Sequence, residues 1–489
     1  MFARSGSASN LPRMSDDVLD GWQMVIGLEV HCELATQTKL FCGCPNLFGD
    51  EPNTNVCPVC LGLPGSLPVV NEKAVELAIR LGQALHCRVE RSVFARKNYF
   101  YPDMPKDFQI SQYDLPTNVD GWLDLPNGTR IGVERAHIEE DTGKNTHVGG
   151  DGRIHGAEYS LVDYNRAGIP LVEIVSRPDL RGSDDATDYV RELRDILLAT
   201  GASDAKMEEG SMRIDANVSV RRSGDDEFGT RCEIKNLNSV RSLRNAIEYE
   251  ARRQVDVITA GDRIRQETRH WDEHSGVTRP GRSKEQAEDY RYFPEPDLVP
   301  LDPEPDFVAY IVNTMPALPS DRRARLAALT SGSQHAVAMA VSRGLDDLAA
   351  AAIEEGADPG RLLTHIEHNL AVDGAADIDP RAFAKLTRME AEGALTATQA
   401  KEVLAEVVKG ADPEAVAKER GFEAMDVSVL EASVDAAIAA EPDVWAKFVG
   451  GDEKAVGRLV GSVMKATQGK ADGKTVTAKL MERRAAANG

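Results

Sequence analysis

The composition of this chain changes at a proline-rich segment, and that change constrains the possible folds. Before residues 293–305, short runs rich in β-branched residues alternate with a few helical patterns. After Pro319 the chain is rich in alanine, with apolar residues at helical spacing. Acidic residues next to proline or glycine interrupt that spacing, as is typical of short helices joined by turns. The sequence therefore predicts an α+β region followed by an all-α region.

The strand-like runs favour a largely antiparallel sheet, because they are short and turn residues separate them. They lie at Met24–Val30, Arg130–Val133, Tyr159–Val162, Pro170–Val175, Arg213–Val220 and Arg231–Ile234. Helical patterns interrupt them at Glu72–Ala84, Ser183–Thr200 and Ser239–Ile258. We expect a mixed domain over residues 22–305, a helical domain over 306–420 and a small helical tail over 421–489, with six to eight helices after the proline-rich segment.

Several classes of protein are disfavoured by the overall composition. No run approaches the roughly 20 apolar residues that a membrane-spanning helix needs. Residues 1–21 are polar and lack the apolar core of a signal peptide, so we expect a disordered leader, a cytoplasmic protein and Met14 as an alternative start. The formal net charge of −22 argues against a protein that coats nucleic acid with its whole surface, although one basic patch is compatible with it.

Four of the seven cysteines lie close together, in two pairs. Cys42 and Cys44 form the first pair, and Cys57 and Cys60 form the second. Two thiolate pairs separated by a loop are typical of a tetrahedral zinc site, and the alternative is four unrelated buried thiols. Sulfur would occupy every ligand position of this element, residues 42–60. The zinc would therefore be structural, and a stand-alone zinc-dependent hydrolase is disfavoured because no position remains for water.

Residues Leu161–Val175 indicate a hairpin, with two β-branched arms around the polar turn Asn165–Gly168. One arm carries Asp163 and the other carries Glu173. An acid in a half-buried strand is costly unless it is paired or bound to a cation. Either the hairpin has one solvated face, or Glu173 contributes to a cation site. Asp163 would then orient Arg166 across the turn.

Other strand-like runs also carry acids. Glu29 and His31 would share one face of a strand, because side chains alternate with a period of two. The run His137–Asp141 adds oxygen donors, and Asp215 and Glu233 lie in two further strands. Mg²⁺ binds a few carboxylates together with phosphate. The recurrence favours a shared cation site, with ordinary solvated acids as the alternative.

The sequence has no typical nucleotide-binding loop. Residues Gly276–Ser283 resemble a Walker A loop only in part, since arginine replaces the lysine and a proline lies inside. A nucleotide would need scattered cations and aromatic faces, such as those of Lys97, Tyr99 and Lys144. Each lysine alone is equally compatible with a simple surface charge.

The last segment is locally basic. Residues 451–489 contain eight lysines and arginines and four acids, a net charge of +4 in a chain of net −22. Lys454, Arg458 and Lys465 would lie near one helical face. This pattern favours contact with an RNA backbone, and a basic helix without a partner is the alternative.

Six runs of this sequence resemble the B subunits of the aspartyl/glutamyl-tRNA amidotransferases. They are Val25–His31, Lys97–Asp103, Gln109–Tyr113, Leu161–Val175, Lys206–Ser211 and Asp289–Pro296. The resemblance extends from Val25 to the C-terminus and leaves out residues 1–20, and the four-cysteine cluster is similar to that of only some members. It implies a cradle-shaped domain with the kinase site, then a helical domain and a small YqeY-like helical tail that contacts tRNA.

The resemblance implies a heterotrimeric enzyme. The A subunit is an amidase that releases ammonia from glutamine, and the small C subunit wraps around the other two. The B subunit holds mischarged Glu-tRNA(Gln) or Asp-tRNA(Asn), phosphorylates the side-chain carboxylate with ATP and Mg²⁺, and lets ammonia displace the phosphate. That carboxylate is already ionised at neutral pH, so the reaction needs no strong base. The competing hypothesis is a non-catalytic scaffold that binds tRNA for the amidase.

The resemblance also assigns roles to residues of this chain. The implied magnesium ligands are Glu29, His31, Glu140, Glu173, Asp215 and Glu233. The expected catalytic pair among them is Glu140 and Glu173. The expected contacts with nucleotide or phosphate are Lys97, Tyr99, Lys144 and Ser160. The expected tRNA contacts are Lys454, Arg458, Lys465 and Lys470.

Overall fold

The computed structural model describes residues 19–149, 156–281, 290–422, 427–467, 471 and 473–488. Contacts divide the chain into two compact units, Met1–Leu318 and Pro319–Gly489. The first unit extends beyond the expected boundary at residue 305, because the helix that follows the proline-rich segment packs on the first helix of the chain. Most of the expected leader lies outside the described residues.

Fourteen strands occur in the described part of the first unit. They are β1 (Trp22–Glu33), β2 (Arg88–Val89), β3 (Ala95–Asn98), β4 (Phe108–Ser111), β5 (Asn118–Asp124), β6 (Arg130–Glu140), β7 (Lys144–Val148), β8 (Tyr159–Asp163), β9 (Pro170–Ser176), β10 (Met212–Arg222), β11 (Cys232–Lys235), β12 (Thr268–Asp272), β13 (Val277–Pro280) and β14 (Phe293–Pro294). Nine form one main sheet in the order β13-β12-β11-β10-β1-β9-β6-β5-β2. Its neighbouring strands are antiparallel except β11 and β12. The others form the sheets β14-β3-β4 and β7-β8.

Four helices accompany these strands. They are α1 (Glu72–Ala84), α2 (Ser183–Thr200), α3 (Val240–Thr259) and α4 (Pro305–Asn313). The first two begin and end at the predicted residues, and α3 lies within one residue of its prediction. The side chain of Asn71 caps α1 by accepting hydrogen bonds from the backbone N–H groups of Lys73 and Ala74. The α+β class of this region is therefore confirmed.

The main sheet has one apolar and one polar face. In β1, Leu28 and Val30 are almost fully buried in the core that the sheet shares with α1, α2 and α3. Glu29 and His31 alternate with them and therefore lie on the opposite face. Because antiparallel partners share a face, the same alternation continues across β6, β9 and β10. One period-two pattern thus builds the core on one side and collects polar side chains on the other.

The expected hairpin over Leu161–Val175 does not form. β8 pairs with β7, whereas β9 lies between β1 and β6 in the main sheet. Oδ1 of Asp163 accepts hydrogen bonds from the backbone N–H groups of Asn53 and Asn165, and the Arg166 guanidinium donates to the carbonyl of Thr142. The two predicted arms therefore belong to different sheets, and Asp163 does not orient Arg166.

The second unit is entirely helical in its described residues. Its helices are α5 (Pro319–Leu329), α6 (Gln334–Ser342), α7 (Asp346–Glu354), α8 (Pro359–His368), α9 (Pro380–Ala391), α10 (Ala397–Val407), α11 (Pro413–Glu419), α12 (Val427–Ala440), α13 (Pro442–Val449), α14 (Val456–Ala466) and α15 (Gly473–Asn488). These helices are more numerous than the predicted six to eight, because single residues separate neighbouring helices. Gly344, for example, has a φ of 68° and ends α6 before α7 begins. No helix among the described residues is long and apolar enough to cross a bilayer.

A buried carboxylate fixes α3 against the edge of the main sheet. Glu250 is fully buried, and its Oε1 accepts a hydrogen bond of 2.7 Å from Arg253. Its Oε2 accepts one of 2.9 Å from Thr278 of β13 and lies 3.3 Å from Nε of Arg269 of β12. Burial raises the pKa of Glu250, but these donors outweigh burial and hold the pKa below its ordinary value.

Glu250→Gln is expected to lower the free energy of unfolding by about 3 kcal/mol at pH 7, because the buried Arg269 and the half-buried Arg253 each lose a carboxylate partner. A carboxyl group with a lowered folded-state pKa stabilises the fold above its unfolded-state pKa, near 4.3, and loses that effect as pH falls. The difference in unfolding free energy between wild type and Glu250→Gln should therefore be smaller at pH 3 than at pH 7. Denaturant unfolding at both pH values measures it, with Asp256→Asn on the exposed side of α3 as the control. Equal stabilities at pH 7 would contradict the expectation.

Candidate functional site

Three neighbouring strands bring a histidine and two glutamates together on the polar face. His31 of β1 pairs with Glu173 of β9, which pairs with His137 of β6. Nε2 of His31 lies 3.7 Å from Oε1 of Glu139 and 3.9 Å from Oε1 of Glu173. Nε2 of His137 lies 3.0 Å from Oε2 of Glu173. We call His31, Glu139 and Glu173 the first triad, since their ligand atoms all lie within 4.8 Å of one another.

The electrostatics of the first triad suit a divalent cation. Burial raises the pKa of Glu173, but the nearby His137 and His31 outweigh burial and hold the pKa below its usual range. Glu173 is therefore a carboxylate at neutral pH. Nδ1 of the buried His137 has no hydrogen-bond partner among the described residues. Carboxylate oxygens fit Mg²⁺ or Mn²⁺, and the His31 imidazole adds one nitrogen.

A second group of acids lies beside the first. Glu29 of β1 pairs with Asp215 of β10, and Glu233 of β11 completes the second triad, with ligand atoms within 4.8 Å of one another. Asn217 donates a hydrogen bond of 2.9 Å to Oε1 of Glu29. Glu29 and His31 are two residues apart on β1, so the two triads are neighbours on one face of the sheet.

Glu140 lies apart from both triads. It follows Glu139 on β6, and consecutive side chains of a strand point to opposite faces. Oε1 of Glu140 accepts a hydrogen bond of 2.9 Å from the backbone N–H of Ile110 and forms an ion pair with Lys106. Its carboxylate lines a separate cavity of about 200 Å³. The structure thus puts Glu139, not the expected Glu140, among the candidate ligands.

A row of tyrosines adjoins the first triad. Tyr113 stacks on Tyr292 with ring centroids 4.4 Å apart, and Tyr290 meets Tyr292 edge-on at 6.1 Å. Nζ of Lys97 lies 4.7 Å from the centre of the Tyr290 ring. Burial, together with the carboxylate of Glu139, raises the pKa of Tyr292. The Tyr292 hydroxyl therefore stays protonated and can donate a hydrogen bond beside the triad.

The other expected nucleotide contacts lie on separate elements. Tyr99 follows β3 and stacks on Tyr101 with ring centroids 4.6 Å apart. Lys144 begins β7 and is exposed. Ser160 is exposed on β8, and its hydroxyl lies 2.7 Å from Nδ1 of His147. The structure thus places Lys144 and Ser160 on the two-stranded sheet, whereas the main sheet carries the triads.

The four clustered cysteines converge on one point. Their sulfurs all lie within 4.8 Å of one another, and those of Cys57 and Cys60 are 3.9 Å apart. Four thiolates bound to zinc at about 2.3 Å would be about 3.8 Å apart, so the geometry fits. The hydrogen bond from Cys42 outweighs burial and lowers the pKa of Cys60 to about 5. This shift favours the thiolate of Cys60, which is the zinc-binding form.

The basic residues of the tail are exposed. Lys454 lies in the turn before α14, and Arg458 and Lys465 lie on α14, seven residues apart and near one face. Nε of Arg458 is 2.7 Å from Oε2 of Glu441. Lys470 lies outside the described residues.

Sequence reasoning counted Glu139 only among the oxygen donors of the run His137–Asp141 and did not select it as a ligand. It gave no role to Lys235 and Tyr292. Side chains two residues apart on a strand share a face, so Glu139 lies on the same face as His137, and Lys235 lies on the same face as Glu233. Strand alternation could therefore have identified both residues. Tyr292 carried no such signal. Its position depends on the pairing of β14 with β3, which joins residues about 200 apart in sequence.

Comparison with known proteins identifies the family. Residues 24–309 match a family model described as the GatB/GatE catalytic domain, and residues 362–483 match the GatB domain. The aspartyl/glutamyl-tRNA(Asn/Gln) amidotransferase B subunit of Frankia casuarinae is 51% identical over 496 residues, covering 97% of this chain and 98% of that protein. The protein of the same name from Thermobifida fusca is 48% identical over 504 residues, covering 98% and 97%. The resemblance seen in the sequence is confirmed, and the chain belongs to the family of aspartyl/glutamyl-tRNA(Asn/Gln) amidotransferase B subunits.

Proposed function

We propose that this protein activates and amidates the side-chain carboxylate of Glu-tRNA(Gln) or Asp-tRNA(Asn). ATP phosphorylates the carboxylate in the presence of Mg²⁺, and ammonia then displaces phosphate to give Gln-tRNA(Gln) or Asn-tRNA(Asn). The amidase, or A subunit, supplies the ammonia from glutamine, and with a small C subunit the three chains form a cytoplasmic heterotrimer. The names of the relatives, which specify both tRNAs and a B subunit, support this assignment.

The two adjacent triads carry the proposal. Phosphoryl transfer to a carboxylate concentrates negative charge on the transferred group and on both flanking oxygens. Five carboxylates and one imidazole on neighbouring strands are a donor set that can hold divalent cations against this charge. Bound Mg²⁺ would polarise the phosphoryl group and position the nucleotide. The substrate carboxylate is an ionised nucleophile and needs no general base.

The chain's own side chains would orient the reactants. His137 holds Glu173 in place through its 3.0 Å contact. Lys97 and the hydroxyl of Tyr292 offer a cation and a neutral donor to phosphate oxygens beside the first triad. We propose Tyr99, Lys144 and Ser160 as further nucleotide or phosphate contacts, which requires the β7-β8 sheet to face the bound nucleotide.

Two other elements have supporting roles in this proposal. The four-cysteine element holds a structural zinc ion, consistent with the spacing of its sulfurs. The exposed Lys454, Arg458 and Lys465 bind the tRNA backbone, because such contacts need cations that solvent can reach.

Asp215→Ala tests the proposed chemistry. The variant is expected to fold, to bind tRNA and to leave glutaminase activity intact, while amide formation falls by at least about 100-fold, the scale for losing one charge-stabilising group. The assay is amide formation on purified Glu-tRNA(Gln) and Asp-tRNA(Asn) in the reconstituted trimer, with and without ATP. Normal amidation by this variant would remove Asp215 from the mechanism.

The same assay distinguishes an enzyme from a scaffold. Asp225→Ala makes the same chemical change in the exposed turn after β10 and should behave like the wild type. ATP turnover that depends on mischarged tRNA and disappears in Asp215→Ala supports catalysis by this protein. Turnover that is unaffected by loss of the triad residues would favour a tRNA-binding scaffold.

A further inference from the structure

Lys235 places a positive charge inside the second triad. Its Nζ lies 2.6 Å from Oδ2 of Asp215 and 3.4 Å from Oε1 of Glu233. The hydroxyl of Thr268 fixes Glu233 by donating a hydrogen bond of 2.7 Å to its other oxygen. The ammonium group thus contacts two of the three carboxylates that the second triad would offer to a metal ion.

The first triad differs in this respect. Among the described residues, the groups that form ion pairs within 4 Å with Glu139 and Glu173 are the imidazoles of His31 and His137, while the guanidinium groups of Arg135 and Arg213 act on these carboxylates from farther away. A neutral imidazole can bind a metal through its nitrogen. An ammonium group has three donors and no acceptor, so it cannot. The first triad therefore has no ammonium or guanidinium group in contact with its carboxylates, whereas in the second triad a lysine already neutralises part of the charge of the three carboxylates.

A divalent cation and the Lys235 ammonium cannot share the second triad. An Mg²⁺ ion at about 2.1 Å from a carboxylate oxygen of Asp215 would lie within a few ångströms of Nζ. Repulsion between charges of +2 and +1 at such a distance is strong, even with partial screening. The side chain of Lys235 is 38% exposed, and its ammonium group is carried by a flexible four-carbon stem. The ammonium group can therefore move out of the second triad without a change in the backbone of β11.

We propose that Lys235 is a mobile counter-ion that keeps metal out of the second triad until nucleotide phosphate draws it away. This inference rests on the proposed ATP-dependent function. The first triad then binds its divalent cation without nucleotide. The second triad binds its cation together with nucleotide. The phosphate gives Lys235 a new partner and supplies further oxygen ligands to the ion. By linkage, an ion in the second triad strengthens nucleotide binding by the same factor.

Counting bound Mn²⁺ tests this inference. Electron paramagnetic resonance of free Mn²⁺ is measured during titration of the assembled enzyme that contains the full chain. Wild type is expected to bind one Mn²⁺ tightly without nucleotide and to gain a second with a stoichiometric non-hydrolysable ATP analogue. Lys235→Met keeps the length of the stem and removes the charge. It is expected to bind the second Mn²⁺ without nucleotide, at least about tenfold more tightly than wild type does.

Lys206→Met is the matched control. Nζ of Lys206 is 3.0 Å from a carboxylate oxygen of Glu209, just before β10 and outside both triads. This variant should bind Mn²⁺ as the wild type does. Circular dichroism checks that each variant is folded.

The outcomes separate the lysine's role from the proposed function. Lys235→Met binding only one Mn²⁺ without nucleotide, or wild type binding two, overturns the role of Lys235. If Glu173→Gln meanwhile loses the first ion, the proposed function stands. If neither wild type nor Lys235→Met binds Mn²⁺, with or without nucleotide, both the inference and the metal chemistry of the proposed function fail.

Discussion

Glu173→Gln is expected to lower amide formation and tRNA-dependent ATP turnover by about 10²–10³-fold, the loss measured when one preorganised charge-stabilising group is removed. Glutamine keeps the shape of the side chain but removes its charge. The carboxylate lies between Nε2 of His137 at 3.0 Å and Nε2 of His31 at 3.9 Å. Its loss removes one of two acids from the first triad, so the Mn²⁺ affinity of that triad should fall as well.

The defect should not depend on pH in the neutral range. Burial raises the pKa of Glu173, but the nearby histidines lower it by more, so the wild-type group is ionised throughout. Rates measured at pH 6.5 and 8.5 should therefore show the same ratio of wild type to variant. Glu227→Gln, in the exposed turn between β10 and β11, controls for the chemical change. A Glu173→Gln enzyme with near-normal amidation would exclude the first triad from the reaction.

Removal of the proposed zinc ion should destabilise the region that leads to β9. The loop between the cysteine pairs is tied to the segment between β8 and β9. The backbone N–H of Asn55 donates a hydrogen bond of 2.7 Å to Oδ1 of Asn165, and Asn165 donates one of 2.7 Å to the carbonyl of Glu51. Without zinc, the loop has no sulfur-bound anchor to hold these contacts.

The double variant Cys57→Ser/Cys60→Ser is expected to lose bound zinc and to melt about 10 °C lower. For a large domain, each kcal/mol of lost unfolding free energy lowers the melting temperature by about 2–4 °C, so this shift corresponds to a loss of about 3–5 kcal/mol. Zinc content by mass spectrometry and melting by circular dichroism measure the two effects. Cys232→Ser changes a buried thiol outside the cluster and should keep one zinc ion per chain. Full zinc content in the double variant would rule out the four-cysteine site.

The elements that the sequence predicted well are those defined by local periodicity. The bounds of α1 and α2 follow from helical spacing and from caps within a few residues of the helix. The polar positions of β1 followed from alternation, which needs no knowledge of the partner strands. The convergence of the cysteines was also predicted, because the spacing within each pair is local.

The remaining differences depend on partners far away in sequence. Asp163 at the end of β8 bonds to Asn53, which lies more than 100 residues earlier, and β9 inserts between β1 and β6 of the main sheet. The strand alternation that placed His31 on the polar face would also have excluded Glu140 from that face. This inference requires that β6 extends to Glu140, which the sequence did not indicate. The role of Lys235 needed the neighbouring strand β10, which supplies Asp215.

The alternation in β1 also limits how this gene can change length. Residues Trp22–Cys32 pair one-to-one with β10, and Glu29–Glu33 pair with β9 on the other side. Deleting a single codon within this strand would exchange its two faces beyond the deletion. Glu29 and His31 would then turn toward the helices, while Leu28 and Val30 would face water. Substitutions can alter the chemistry and the core separately, but an insertion or deletion here damages both at once, so length variation in this family is expected to fall outside β1.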